Sequence, residues 1–238
     1  MERTSGIAVW RQIELLLAGE IKSGAWKTGD RLPTETDLAT RFGVNRHTLR
    51  RAMAALEASG MVRIEQGRGT FVQEDLVSYP VSKRTRYSEN ILLTNRQPGG
   101  KLLRSAEVPA DRDVAMALGL RPKERVLMID LLREADTIAL SVSTHWFPKS
   151  RGKGIIEAYE ETGSITRALF QIGITDYTRA WTRMTTRLPE GDEGRLLRQA
   201  RSQPVLVSES VNVDSNGHPI EYVLARFAGQ RVQFVIEF

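Results

Sequence analysis

The sequence predicts an α+β chain, in which an N-terminal winged helix-turn-helix precedes an α+β domain with a mainly antiparallel sheet. Three observations predict it. Helix-period apolar stripes, punctuated by glycines and capping residues, occupy the first quarter. Two strand-like runs then bracket the glycine-rich tip Gln66-Gly67-Arg68-Gly69. Strand-like runs with few helices between them fill the rest, which is the pattern of an α+β domain.

The first helix is expected over Ile7–Ser23, where Trp10, Ile13, Leu17 and Ile21 form one stripe and Gly24 follows. A turn over Ala25–Pro33 leads to a short helix, Thr34–Phe42, with Thr34 as N-cap and Asp37 completing a capping-box-like start. Gly43 breaks it. Asn45 caps a third helix, Arg46–Ser59, whose buried stripe is Leu49, Met53 and Leu56. Val62–Ile64 and Thr70–Val72 are the strands of the wing. These elements define a first domain, 1–73, and a stretch with no clear period, 74–86, reads as a linker.

Residues 87–238 are long enough for a core of their own. Strands are expected at Lys101–Val108, Arg125–Glu134, Ile138–Phe147, Tyr177–Arg187, Val205–Asp214, Pro219–Ala225 and Arg231–Phe238. Helices are expected at Asp111–Leu118, Ser164–Gln171 and Glu190–Arg198. Asp214-Ser215-Asn216-Gly217 is a hairpin turn signal.

Composition narrows the function. The 238 residues contain no cysteine, which removes disulfides, thiolate catalysis and cysteine-held metals and fits a cytoplasmic protein. No export signal is expected, and no apolar run is long enough for a membrane span. The net charge of +5 is unevenly placed. Leu38–Arg68 holds six basic and two acidic residues, whereas the chain after Val72 holds 23 and 21. The excess lies on the helix-turn-helix, where a duplex would be gripped.

The third helix has the chemistry for that task. Arg46 and Arg50 are four residues apart on one face, and an arginine fork can bridge two acceptors on guanine or clamp a phosphate. His47 and Thr48 lie in the first turn, and Arg51 also falls off the buried stripe. Gly67 and Gly69 permit a tight turn that places Arg68 at the wing tip, within reach of a minor groove. A solvated basic face would explain two arginines, but not their coincidence with the turn, the cap and the wing.

Leu32-Pro33-Thr34-Glu35, Leu38-Ala39, Phe42-Gly43-Val44, Arg46, Thr48-Leu49-Arg50, Ala52, Leu56, Gly60 and Gln66–Val72 together resemble the GntR family signature. The resemblance implies DNA contacts from Arg46, Thr48, Arg50, Gly67 and Arg68. Thr34, Glu35, Thr36, Asn45, His47, Arg51 and Gln66 complete the candidate DNA-reading set. One departure is Thr36, where many members carry arginine. A homodimer on a near-palindromic, double-stranded operator is the expected assembly.

The second half is similar to the branch of that family typified by histidine-utilisation repressors, whose effector domain resembles chorismate lyase. Arg86-Tyr87-Ser88-Glu89, Leu131-Leu132-Arg133, Ser164 after Gly163, and Pro219-Ile220-Glu221-Tyr222 carry this likeness. Ala228-Gly229-Gln230 departs from the branch, which has arginine-glycine-aspartate there. Val44–Ala52, Tyr87–Asn90 and His145-Trp146-Phe147 further resemble regulators of phosphonate utilisation, which implies a small anionic effector, a phosphonate or phosphate-like group. Arg86, Ser88, Arg133, Ser143 and Ser164 could bind the anion, with Tyr177, Arg179, Glu221 and Tyr222 holding the remainder. Ser88 and Ser164 read equally as helix caps. His145 is also a candidate, although it reads first as a packed, hydrogen-bonded histidine.

Other effectors, such as a sugar phosphate or urocanate, remain open at this point, as does a lyase-like activity. The sequence shows no nucleophile–base constellation, and His47, His145 and His218 lack metal-ligand spacing, so neither an enzyme, a cofactor nor a metal is expected.

Overall fold

The computed structural model describes residues 7–27, 29–65, 67–73 and 76–237. Gln66 and the first two residues of the expected linker lie outside this set. The chain forms two compact units, residues 1–75 and 76–238.

The first unit contains α1 (Val9–Lys22), α2 (Glu35–Phe42), α3 (Arg46–Ala58), β1 (Val62–Glu65) and β2 (Gly69–Val72). Local chemistry sets each boundary. Thr34 and Asp37 form a reciprocal capping box at the start of α2, and Gly43 at φ 64° ends it. Gly43 has no Cβ to oppose that left-handed turn. Asn45 Oδ1 accepts the Thr48 amide at 2.8 Å and starts α3. Ile13, Leu17, Leu38, Leu49, Met53 and Leu56 then close one core with Val62 and Val72 of the wing. Arg31 adds a bridge to Phe71, and the Leu32 amide donates to the Thr70 carbonyl, so the turn before α2 is tied to β2.

The second unit contains β3 (Val77–Pro80), α4 (Tyr87–Leu93), β4 (Pro98–Pro109), α5 (Arg112–Leu118), β5 (Arg125–Ala135), β6 (Ile138–Pro148), α6 (Ile155–Thr162), α7 (Ile165–Gln171), β7 (Tyr177–Arg187), α8 (Glu193–Leu196), β8 (Val205–Asp214), β9 (Pro219–Ala228) and β10 (Val232–Val235). Six strands make an antiparallel sheet in the order β4-β5-β6-β9-β8-β7. Side chains of α6 and α7 pack with Ile129, Leu131 and Phe147 on one face. Those of α5 pack with Val126 and Tyr222 on the other. Gly100 is required on β4, because a Cβ there would lie 2.1 Å from the Leu132 carbonyl oxygen.

Three elements differ from expectation. Residues 77–80, within the stretch read as a linker, form β3, a parallel partner of β10. Val77 and Tyr79 are buried against Phe227 and Val232, a pairing too short and too distant in sequence to show as a period. Helix α6 is also unforeseen, and α4, to which the reading of Ser88 as a cap points, has its N-cap two residues earlier at Arg86, each helix being about two turns long.

Leu49 is fully buried at the centre of the first core. Leu49→Ala is expected to lower that unit's stability by about 2–5 kcal/mol. Urea unfolding followed by tryptophan fluorescence measures it, and a loss below about 1 kcal/mol would contradict the packing described.

Candidate functional site

On the first unit, Arg46, His47, Arg50 and Arg51 are exposed, while Thr48 is half-buried. Their setting divides them. Arg50 Nε donates to Glu35 Oε2 at 2.9 Å, with the two side chains 61% and 38% exposed. Arg46 Nη2 lies 3.4 Å from Thr36 Oγ1, so the hydroxyl at this departure from the family pattern makes a weak contact with the arginine. Thr34 and Asn45 spend their side chains on the two caps. Arg51 turns away, its guanidinium 4.5 Å from the ring centre of Trp10 on α1. At the wing, Gly67 has φ 76°, and Arg68 pairs with Glu65 at 2.6 Å while remaining 58% exposed. Sequence reasoning missed Arg31. Its guanidinium lies against Gly69, where an added Cβ would fall 2.6 Å from Arg31 Nε, so the wing carries a second cation beside Arg68. No period in residues 25–33 could have shown this.

On the second unit, Arg86, Ser88, Arg133, Ser143, His145, Ser164, Tyr177, Arg179 and Glu221 line one cavity. Tyr222 does not. Adjacent residues of a strand face opposite ways, so Tyr222 stacks on Trp146 across the sheet at 5.3 Å and its hydroxyl donates toward Glu209. Ser164 caps α7, whereas Ser88 lies inside α4, whose N-cap position is Arg86. Sequence reasoning missed Ser141, Ser208, Ser210 and Asn212, which share the cavity face by alternation along β6 and β8.

Arg133 is 6% exposed and sits between the rings of Tyr87, at 5.1 Å, and Tyr159, at 5.7 Å. Among the described residues it has no hydrogen bond and no ion pair. Arg86 lies 4.9 Å from the Tyr177 ring centre, reaches the exposed Glu89 only at 3.4 Å, and has a buried Nε without a partner. Two guanidinium groups therefore face the cavity with hydrogen-bonding capacity unused.

Opposite them runs a polar chain. Ser143 Oγ lies 2.9 Å from His145 Nε2, and His145 Nδ1 lies 2.6 Å from Glu221 Oε1. Asn212 Nδ2 donates to Glu221 Oε2, and Arg179 Nε donates to Asn212 Oδ1 at 3.2 Å. A serine–histidine–carboxylate arrangement thus exists where the sequence showed none, because its members come from separate strands. The strand that carries its serine offers no free backbone amide for an oxyanion hole. Ser143 pairs with Leu131 on one side and Ala225 on the other, so β6 is an interior strand whose amides serve the ladder. Among the described residues no cluster of three or more histidine or acidic side chains could hold a metal, and no helix is long and apolar enough to cross a membrane.

Burial pushes the His145 imidazolium below its ordinary value, and the charges of Arg133 and Arg179 act the same way. Glu221 opposes them through its hydrogen bond and charge, but burial is the larger effect. The folded pKa is therefore below the unfolded value of 6.5, and below that pH the unfolded chain takes up the extra proton. Stability from this group is intact above pH 6.5 and is lost as the pH falls from there through the depressed folded value. Ring ¹⁵N NMR is expected to show His145 neutral with hydrogen on Nδ1 at pH 6.5. A midpoint at or above 6.5 would contradict this environment.

Comparison with known proteins agrees with both units. Residues 10–72 match the bacterial regulatory proteins of the gntR family, and residues 94–233 match the UTRA domain. The uncharacterised HTH-type transcriptional regulator RB1450 of Rhizobium meliloti is 40% identical over 238 residues, covering all of this chain and 98% of that protein. The probable transcriptional regulator PhnF of Escherichia coli is 32% identical over 230 residues, covering 96% of this chain and 94% of that one. The crystal structure of PhnF from Mycobacterium smegmatis shares the fold with a TM-score of 0.64 at 24% identity, covering 97% of this chain and 99% of that one. The chain is therefore a member of the GntR family of ligand-responsive transcriptional regulators, in the branch that joins a helix-turn-helix reader to a UTRA effector domain.

Proposed function

We propose that the protein is a cytoplasmic, homodimeric repressor of phosphonate uptake or metabolism genes, modulated by a phosphonate or phosphate-like anion. The observation that carries the effector class is Arg133, a buried guanidinium without an acceptor. Its guanidinium borders the cavity unpaired, and an oxyanion there would accept charge-assisted hydrogen bonds from it. Arg86, Ser88 and Ser164 stand around the same cavity and supply further donors. The resemblance of Val44–Ala52 and Tyr87–Asn90 to regulators of phosphonate utilisation supports the choice among oxyanions.

On the DNA side, a homodimer presents two copies of α3 to two half-sites about one helical turn apart. Arg46 and Arg50 read base edges or phosphates, Arg68 enters the minor groove, and Thr34, Glu35, Thr36, Asn45, His47, Thr48, Arg51, Gln66 and Gly67 shape or flank the contact. Glu35 holds Arg50 in position until a phosphate or base displaces it. Effector occupancy alters the placement of the readers through residues 74–86. This stretch ends in the cavity-lining residues Thr85 and Arg86.

Two measurements test this reading. Arg46→Ala and Arg50→Ala should each weaken operator binding by about 1–3 kcal/mol in fluorescence anisotropy at fixed salt. Unchanged affinity in both would remove the assignment. Methylphosphonate should raise the Tm of the wild-type chain by mass action. Arg133→Gln should lose most of that rise, a fall in affinity of roughly 10- to 100-fold. Without ligand, the same variant should be no less stable than the wild type, since it sheds an unpaired buried charge.

A further inference from the structure

We propose that the inner part of the cavity is a subsite for a hydrogen-bond donor, read by Ser143 as an obligate acceptor, so that the effector is an oxyanion whose tail carries an amino or hydroxyl group. The inference rests on the anion reading above and adds the chemistry of the other end of the ligand.

The two ends are separate. Arg86, Ser88, Arg133 and Ser164 line both this cavity and an adjoining, more open one. Ser143, His145, Asn212 and Glu221 line only the first. Arg86 and Arg133 thus stand where the two cavities meet, whereas the polar chain, with Arg179 at its far end, lies away from that junction.

Hydrogen-bond direction along that chain is fixed from one end. A guanidinium only donates, so the atom of Asn212 that faces Arg179 must be its oxygen. The Asn212 amide nitrogen then faces Glu221 and donates to it. A carboxylate only accepts, so His145 Nδ1 must carry hydrogen toward Glu221. In the neutral ring Nε2 is then bare, and it takes the Ser143 hydroxyl hydrogen over 2.9 Å. Ser143 Oγ is left with lone pairs alone for the cavity.

The surroundings hold this arrangement. His145 stands opposite Ile129 on β5 and Val223 on β9, and its ring is stacked on Phe147 at 6.5 Å. The charged groups acting on it are Glu221, Arg133 and Arg179. Ser143 is 4% and Glu221 2% exposed, so solvent does little to relieve a mismatch. A phosphonate oxygen placed at Ser143 would meet lone pairs, whereas an ammonium or hydroxyl would find an acceptor. Ser143, assigned from sequence to the anion, belongs to the opposite end.

Three ligands of nearly equal size test this on the full-length chain by calorimetry at pH 7.5: 2-aminoethylphosphonate, 2-hydroxyethylphosphonate and propylphosphonate. At least one donor-bearing ligand should bind roughly 10- to 100-fold more tightly than propylphosphonate. In Ser143→Ala that ratio should fall to within about threefold. Equal affinities in the wild type would overturn the donor subsite and leave the anion reading standing. A full preference surviving in Ser143→Ala would overturn the role of Ser143. Failure of all three to bind would overturn the phosphonate reading itself, and this inference with it.

Discussion

Alternation along three neighbouring antiparallel strands is the constraint on which the effector unit depends. Ser141, Ser143 and His145 of β6, Glu221, Val223 and Ala225 of β9, and Ser208, Ser210 and Asn212 of β8 occupy alternate positions and meet on one face. A slip of one residue in any of these strands would exchange the whole set. Trp146 and Tyr222 would replace His145 and Glu221, yet in the native register they stack on the far face, within the core that includes Val126 and Val211. The aromatic pair and the polar pair therefore specify the same register from opposite sides. The polar pair can be buried because its hydrogen bonds are met along the chain from Arg179 to Ser143.

Elsewhere the fold satisfies guanidinium groups that are buried or half-buried. Arg226 donates to Glu193 and to Thr144, and Arg187 forms two hydrogen bonds with the same glutamate. Arg231 donates to the carbonyls of Ala139 and Leu197. Arg133 differs in having only the faces of Tyr87 and Tyr159. Contacts of this kind contribute about 0.5–2 kcal/mol each, less than the desolvation of a buried cation. In the proposed function, this unused hydrogen-bonding capacity is what an anionic effector would meet. The reader follows a milder form of the same logic. Arg50 holds an exposed carboxylate partner worth about 0–1 kcal/mol, so a nucleic-acid phosphate can replace it at little cost, whereas Arg68, itself exposed, pairs with the buried side chain of Glu65.

The reader was legible almost residue by residue, because its determinants are local. Thr34, Gly43 and Asn45 declare their roles within three or four positions of themselves, and the structure places the caps and the left-handed turn where the sequence indicates them. The effector unit was legible only where a strand carries its own period. Strands β4 to β9 stand out as long runs, but β3 has four residues and a partner 155 positions away. The polar chain escaped notice for the same reason, since Ser143 and His145 meet Glu221 only through the pairing of β6 with β9. Tyr222 was misplaced because an adjacent pair of polar residues in a strand cannot serve one cavity together.

Residues 77–84, which precede the cavity-lining Thr85 and Arg86, are held more firmly than a tether would be. Val77 to Pro80 pair with β10, the Arg179 amide donates to the Lys83 carbonyl, and Arg84 meets Asp176 at 2.8 Å. Tyr79, Val81, Thr85 and Arg86 of this anchored stretch line the cavity. A ligand shifts a conformational equilibrium only by the difference in its affinity for the two states. A flexible linker beside the cavity would contribute no such difference, whereas an anchored one can, because residues that line the cavity also fix the path of the chain. In the proposed function, an effector that engages Arg86 would act on a backbone already committed to β10 at residues 77–80. The unexpected strand therefore bears on the proposed regulation, since it fixes residues 77–80 of the effector unit at the start of the stretch that lines the cavity.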